Sequence, residues 1–209
     1  MPAHVKLFLA SSNPGKLGEY RALVEEDAYG AKDASAPRVE IDLLPVFDSL
    51  PSFEENAPTF AENAAGKALH YSRLAAGVVF ADDSGLVVPA LGGAPGVLSA
   101  RYAGPGATNS QRIAKLLGEL RGKIGSERAA YFVCAIAVAQ KGRVTAIVTA
   151  RVDGEILEEP RGGGGFGYDP VFYFPALKKT FAELLPEEKN RISHRGKAFR
   201  KLLSALRTS

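Results

Sequence analysis

Short apolar runs alternate along this chain with segments whose apolar residues recur every three or four positions, and that alternation confines it to an α/β arrangement. His4–Ala10 reads as a first strand, and Leu17, Tyr20, Leu23 and Val24 give Lys16–Glu26 helical spacing. Ala28–Pro37 is small and polar without period and reads as a loop, and Val39–Leu44 as a second strand. Thr59-Phe60-Ala61-Glu62 has the form of a capping box, predicting a helix that runs to Ala76 and is ended by Gly77. Val78–Ala81 is a buried strand leading straight into Asp82-Asp83-Ser84-Gly85, with Leu86–Leu91 extending beyond and a turn at Gly92–Gly96. Thr108–Leu120 is a further helix. Ala129–Ala139 and Val144–Val152, joined around Lys141-Gly142, form a hairpin, so the sheet has an antiparallel part. Gly162–Asp169 is a glycine-rich loop, followed by helical segments around Phe181–Leu185 and Ser193–Leu206. No repeat or linker divides residues 1–209, which read as one domain or two lobes sharing a core.

Composition narrows the class. With 46% hydrophobic and 23% charged residues the chain is globular in type, and no apolar run approaches a membrane span. The apolar stretch ending at Ala10 is too short, and Lys6 too central, for a signal peptide. A single cysteine, Cys134, excludes an internal disulfide framework and suits a reducing, cytoplasmic setting; inside an apolar run it reads as a small core residue. The net charge of +3 permits an anionic ligand without requiring nucleic acid.

Five constellations carry possible chemistry. Ser11-Ser12-Asn13-Pro14-Gly15-Lys16 is a strand-to-helix turn, where backbone N–H groups and a helix start favour an anion and Lys16 adds a mobile charge. It is not a P-loop, since Leu17 stands where Ser or Thr would bind Mg²⁺. Asp82-Asp83, at the end of an apolar strand, places two carboxylates where their repulsion favours a cation; an Asx-turn is the structural alternative. Glu54-Glu55 could complete such a metal site or lie in an exposed acidic loop. Asn63 and Lys67 share a helix face that would meet phosphates or water. In Gly162–Asp169, five glycines next to Phe166, Tyr168 and Asp169 suit close approach to a ligand, with Phe166 offering a ring to a base. The run Lys189–Lys197 starts a helix and gathers donors, including His194 and Arg195, for a nucleotide or for solvent.

In this order the pieces resemble the inosine triphosphate pyrophosphatase family, which acts on non-canonical purine nucleoside triphosphates. The resemblance rests on Ser11–Lys16, Thr59-Phe60-x-Glu62-Asn63-Ala64-x-x-Lys67-Ala68, Ala81–Leu86, Leu91–Tyr102, Gly165–Pro170 and Glu188–Gly196, from residue 7 to 206. It implies a two-lobed α/β fold with a long mixed sheet flanked by helices, the active site in the cleft between lobes, and a homodimer. It further implies Mg²⁺ as cofactor, hydrolysis of ITP, dITP and XTP to monophosphate and pyrophosphate, and no nucleic-acid or membrane partner. Asp83 would be the proton acceptor and, with Glu54 or Glu55, a metal ligand. Ser11, Ser12, Asn13, Pro14, Gly15, Lys16 and Lys67 would serve the triphosphate, and Ser84 would touch substrate. Phe166, Gly167, Tyr168, Asp169, Lys189, His194 and Arg195 would read base and sugar. Asn56-Ala57 stands where the family loop often has a glycine, so the choice between Glu54 and Glu55 stays open. Rival readings are a pyrimidine nucleotide pyrophosphatase, a non-catalytic nucleic-acid binder using the basic C-terminal helix, and a sugar-phosphate nucleotidyltransferase.

Overall fold

In a computed structural model, which describes residues 4–30 and 38–207, the chain forms a seven-stranded sheet in the order β2-β1-β3-β4-β5-β6-β7. The strands are β1 (His4–Leu9), β2 (Arg38–Leu43), β3 (Val78–Val87), β4 (Ala129–Gln140), β5 (Arg143–Ile156), β6 (Phe172–Phe174) and β7 (Lys179–Thr180). The helices are α1 (Pro14–Gly30), α2 (Phe60–Ser72), α3 (Asn109–Glu119), α4 (Pro186–Ile192) and α5 (His194–Arg207). β1 lies parallel to β2 and β3, whereas β5, β6 and β7 pair antiparallel, so the sheet is mixed as expected.

The chain divides into two compact units. The first comprises Met1–Asp83, Cys134–Ala150 and Arg195–Ser209, and the second Ser84–Val133 and Arg151–His194. In the first unit strand alternation sorts the core into two layers. Leu7, Leu9, Phe80, Cys134, Ile136 and Val138 pack with Tyr20 and Leu23 of α1 and with Phe199, Leu202 and Leu203 of α5. The interleaved Val79, Ala81, Ala135, Ala137 and Ala139 pack with Ala64, Ala68 and Tyr71 of α2. In the second unit Ile113 and Leu116 of α3 join Leu86, Val88, Phe132, Val152, Ile156, Phe172 and Phe181.

Several boundaries differ from the sequence reading. α1 continues to Gly30, taking in the first residues of the expected loop, and residues 31–37 of that loop lie outside the described residues. α2 stops at Ser72 rather than Ala76, because the N–H groups of Arg73 and Leu74 bond back to His70 and Tyr71 in a tightened last turn. β3 does not end before the aspartates. It runs unbroken through Asp82-Asp83-Ser84-Gly85, since partners for both carboxylates outweigh the turn preference of the tetrapeptide. Only Phe181–Glu183 is helical in the segment before α4, and as a single 3₁₀ turn. The basic run does not start one helix: Lys189–Ile192 ends α4, Ser193 is extended, and α5 begins at His194. The short strands β6 and β7 carry too few residues for periodicity to reveal.

The β4–β5 hairpin closes as expected on Lys141-Gly142, with φ of 50° and 73°, the pattern of a type I′ turn. Lys141 is exposed and left-handed, where asparagine is better tolerated. Lys141→Asn should therefore stabilise the protein by about 0.5–1 kcal/mol, read as a raised urea midpoint. An unchanged or lower midpoint would contradict this account of the turn.

Candidate active site

The turn between β1 and α1 is built by its own side chains. Ser11 Oγ accepts the Asn13 N–H at 3.1 Å, and Asn13 Oδ1 accepts the Gly15 N–H at 2.9 Å. Pro14 opens α1, where its missing N–H costs nothing. Ser11 is buried while Ser12, Asn13 and Gly15 are exposed. A cavity of about 530 Å³ adjoins this turn, lined by Ser11, Ser12, Leu44, Val46 and Phe47 among others.

Because side chains alternate along a strand, the two adjacent aspartates of β3 face opposite sides of the sheet. Asp82, 1% exposed, shares the side of Phe80. Lys16 Nζ donates to its Oδ1 at 2.9 Å, and Arg195 Nε lies 3.5 Å from its Oδ2. Arg195, itself 3% exposed, also pairs through Nη1 with Glu19 of α1. Burial is the largest influence on Asp82 and opposes its charge, but Lys16 and Arg195 together hold the carboxyl well below the usual carboxylate range.

Asp83 shares the side of Ala81 and α2. Its Oδ2 accepts a hydrogen bond from Asn63 Nδ2 at 3.0 Å. Burial, and next the charge of Glu55, push the Asp83 carboxyl up to about 6 against the help of Asn63 and Lys16. Glu55 is half-buried and paired with Lys67 Nζ. Burial would lower the Lys67 pKa, yet Glu55 outweighs it and the ammonium titrates higher than usual. Glu54 is exposed and accepts from Asn56 Nδ2 at 2.9 Å. Glu55, not Glu54, is the glutamate that acts on Asp83.

Among the described residues no group of three or more His, Cys, Asp or Glu is arranged to hold a metal. Asp83 and Glu55 nevertheless fit Mg²⁺, which commonly takes one or two carboxylates and completes its shell with water and phosphate oxygens. Burial and the charge of Glu55 both disfavour the Asp83 carboxylate, and a divalent cation would relieve that cost.

The second unit assembles the glycine loop and α4. Asp169, 3% exposed, accepts from Phe166 N at 2.8 Å and from Lys189 Nζ at 2.7 Å. The same ammonium lies 4.5 Å from the centroid of the Phe166 ring. Tyr168 is buried and its hydroxyl donates to the Ser99 carbonyl at 2.9 Å, tying the loop to the segment after β3. Gly164 N donates to Ala182 O at 3.0 Å. His194, 5% exposed, stacks on Phe132 at 4.7 Å and 12°. Ser84 is half-buried in β3, next to Asp83 in sequence.

The sequence expectation singles out Asp82, Asp83, Glu54 and Glu55, and the structure separates their environments. The Asp82–Lys16–Arg195–Glu19 network and the buried position of Asn63 were missed. Glu19 had no local signal, being one acidic residue on a helix. Strand alternation through Asp82-Asp83 was the available clue, and reading the strand as ending there hid it.

Comparison with known proteins now bears on this site. A family model described as the Ham1 family matches residues 7–205. A dITP/XTP pyrophosphatase of Geobacillus kaustophilus is 52% identical over 94% of this chain and 92% of its own. One from Desulfotalea psychrophila is 46% identical over 92% and 81%. The solved structure of a HAM1 protein from Coxiella burnetii superposes with a TM-score of 0.84 at 40% identity, covering 98% of this chain and all of that one (100%).

The opposed aspartates have opposite linkage signs. Asp83 is raised from 3.8 to about 6, so what it contributes is fully present below pH 4 and lost as pH rises through 6. Without divalent cation, Asp83→Asn should stabilise the protein at pH 8 by about 1–3 kcal/mol, and the gain should vanish near pH 4. Asp82 is depressed, so its contribution is present above its unfolded value near 4 and persists through neutrality. Asp82→Asn should destabilise by roughly 3–5 kcal/mol at pH 8, leaving Arg195 and Lys16 buried with less compensation. Thermal melts across pH check both; equal effects of the two substitutions at pH 8 would refute the assignment.

Proposed function

We propose, since the chain belongs to the Ham1 family, that it hydrolyses the non-canonical purine nucleoside triphosphates dITP, ITP and XTP to the monophosphate and pyrophosphate. The observation that carries this reading is 52% identity over 94% of the chain to a dITP/XTP pyrophosphatase. The division between Asp82 and Asp83 gives it a chemistry. We place the enzyme in the cytoplasm as a homodimer and residues 1–209 in one catalytic domain. Among the described residues no helix is long and apolar enough to cross a membrane.

Asp83 takes a proton from a water as the water oxygen bonds to the α-phosphorus, and the bridging oxygen leaves with pyrophosphate. In the metal-free site burial and the charge of Glu55 raise the Asp83 carboxyl to about 6, and such a perturbed carboxyl marks a candidate functional group. Asp83 and Glu55 would hold Mg²⁺, which when bound would neutralise phosphate charge and make pyrophosphate a better leaving group. Lys16 gives Asp82 one hydrogen bond and Lys67 gives Glu55 one, so each ammonium keeps N–H donors for phosphate oxygens. Ser11, Ser12, Asn13, Pro14 and Gly15 present the turn to the triphosphate, and Ser84 contacts substrate.

Base and sugar fall to Phe166, Gly167, Tyr168, Asp169, Lys189, His194 and Arg195. Within this set Tyr168, Asp169, His194 and Arg195 act by support, being buried and held by Ser99, by Phe166 and Lys189, by Phe132, and by Asp82 and Glu19 respectively. Lys189 supplies a cationic donor. Hypoxanthine and xanthine carry a carbonyl at position 6 where adenine carries an amino group. A site of fixed donors therefore accepts the former and is left unpaired by adenine, a mismatch that discriminates by up to ~10⁴–10⁵.

The test is product analysis on dITP, ITP, XTP, GTP and ATP with and without Mg²⁺. Mg²⁺-dependent release of IMP and XMP with pyrophosphate, and little turnover of ATP, is the expected result. Nucleoside diphosphate with phosphate would mean γ-attack and overturn the mechanism. Asp83→Asn should lower kcat at least ~10²-fold, and Lys189→Ala should reduce the ITP-over-ATP preference more than it reduces kcat.

A further inference from the structure

Asn63 has no exposed surface (0%), although it sits near the start of α2, and a buried amide of this kind needs partners on both its oxygen and its nitrogen. Its Oδ1 accepts the Ala57 N–H at 2.9 Å. Its Nδ2 donates to Asp83 Oδ2 at 3.0 Å and lies 3.4 Å from the Ala57 carbonyl. The amide cannot be reversed: its oxygen would then meet a carboxylate and its NH₂ group a backbone N–H. One side chain therefore ties the Asp83 carboxylate to the segment that carries Glu54 and Glu55.

α2 fastens that segment at further points. His70 Nε2 lies 2.9 Å from the Pro51 carbonyl oxygen. Phe53 lies on Gly66, where a Cβ would come within 2.6 Å of the ring, so the glycine is needed for the approach. Lys67 pairs with Glu55. These contacts attach the segment to the helix, and Asn63 adds the bond from the helix to Asp83.

We propose that Asn63 is a positioning residue for the carboxylate pair. It fixes the Asp83 rotamer by holding Oδ2, which leaves Oδ1 for the cation or the water. Through Ala57 it also sets the place of Glu55 relative to Asp83. This rests on the reading of Asp83 and Glu55 as the Mg²⁺ ligands. Its loss should therefore weaken metal binding in the absence of any nucleotide, by about tenfold or more, as for other groups that orient metal ligands.

The experiment measures Mn²⁺ binding to the nucleotide-free protein by calorimetry for the wild type, Asn63→Ala, Asn63→Ser and Asp83→Asn. Hydrogen exchange at the Ala57 amide, circular dichroism and ITP kinetics across Mg²⁺ concentration accompany it. Asn63→Ser, a smaller change that satisfies one partner at most, serves if the alanine variant does not fold. The expected result is a folded variant with an Mn²⁺ Kd raised at least tenfold, faster exchange at Ala57, a higher Mg²⁺ requirement and a lowered kcat. KM for ITP at saturating metal should change less than threefold. Wild-type Mn²⁺ affinity and Mg²⁺ dependence in a folded Asn63 variant, with Asp83→Asn impaired in both, would overturn this inference alone. Weakened Mn²⁺ binding in the Asn63 variants of a protein that hydrolyses no non-canonical purine triphosphate would uphold it while the substrate reading fell.

Discussion

The two-residue period of β3 decides what the adjacent aspartates become. Neighbours on a strand look to opposite faces, so Asp82 and Asp83 share a peptide bond but not an environment. On the α1 and α5 face, Asp82 meets Lys16 and Arg195 and is held ionised. On the α2 face, burial and next the negative field of Glu55 disfavour the charge of Asp83, against the help of one amide donor. Had the strand ended before this pair, as its turn-forming composition suggests, no backbone geometry would have separated their surroundings.

The separation has consequences for stability and reactivity alike. A buried carboxylate with two cationic partners is strongly destabilising to break yet adds little over an apolar substitute of the same shape. Asp82 is therefore better understood as the residue that orders Lys16 and Arg195 than as a source of net stability. Arg195 is further held by Glu19, so α1, α5 and β3 meet in one charged network. Asp83 stands in the reverse situation. Its charge costs stability in the metal-free protein, and a bound cation would relieve that cost, which on the proposed reading links the ionisation of the residue to metal binding.

How much of this was legible in the sequence varied with how local the cause was. β1, β2, the capped helices and the Lys141-Gly142 hairpin follow from short-range rules, and Thr59 and Thr108 do accept the N–H groups of Glu62 and Gln111 as their spacing predicts. The continuation of β3, the break at Ser193 and the strands β6 and β7 depend on contacts between residues far apart in the chain. Local preference misread each of them. The same distinction holds at the site. Asp83, Lys16 and Lys67 could be named because they lie in motifs, whereas Glu19 meets Arg195 across 176 positions and leaves no trace in local pattern. The choice between Glu54 and Glu55 was open for a related reason: the segment is placed by contacts of Phe53, Ala57 and Glu55 with Gly66, Asn63 and Lys67 of α2, and it is the charge of Glu55 that bears on Asp83.

The glycine loop shows a different source of order. Five glycines in six positions suggest flexibility, but two of them are sites of close packing. A Cβ on Gly162 would come within 2.5 Å of the Ala182 backbone, and one on Gly165, whose φ is +69°, would overlap the Asp169 carboxylate. Glycine there permits approach, and the entropy lost on ordering the loop is offset by bonds from Phe166 N and Lys189 to Asp169 and from Tyr168 to Ser99. A loop ordered before ligand arrives holds its donors at fixed positions. Fixed donors are what selectivity between a 6-carbonyl and a 6-amino purine requires, because a donor free to turn away leaves nothing unpaired when the wrong base binds. On the proposed reading, the packing of the glycines and the selectivity of the enzyme are one property.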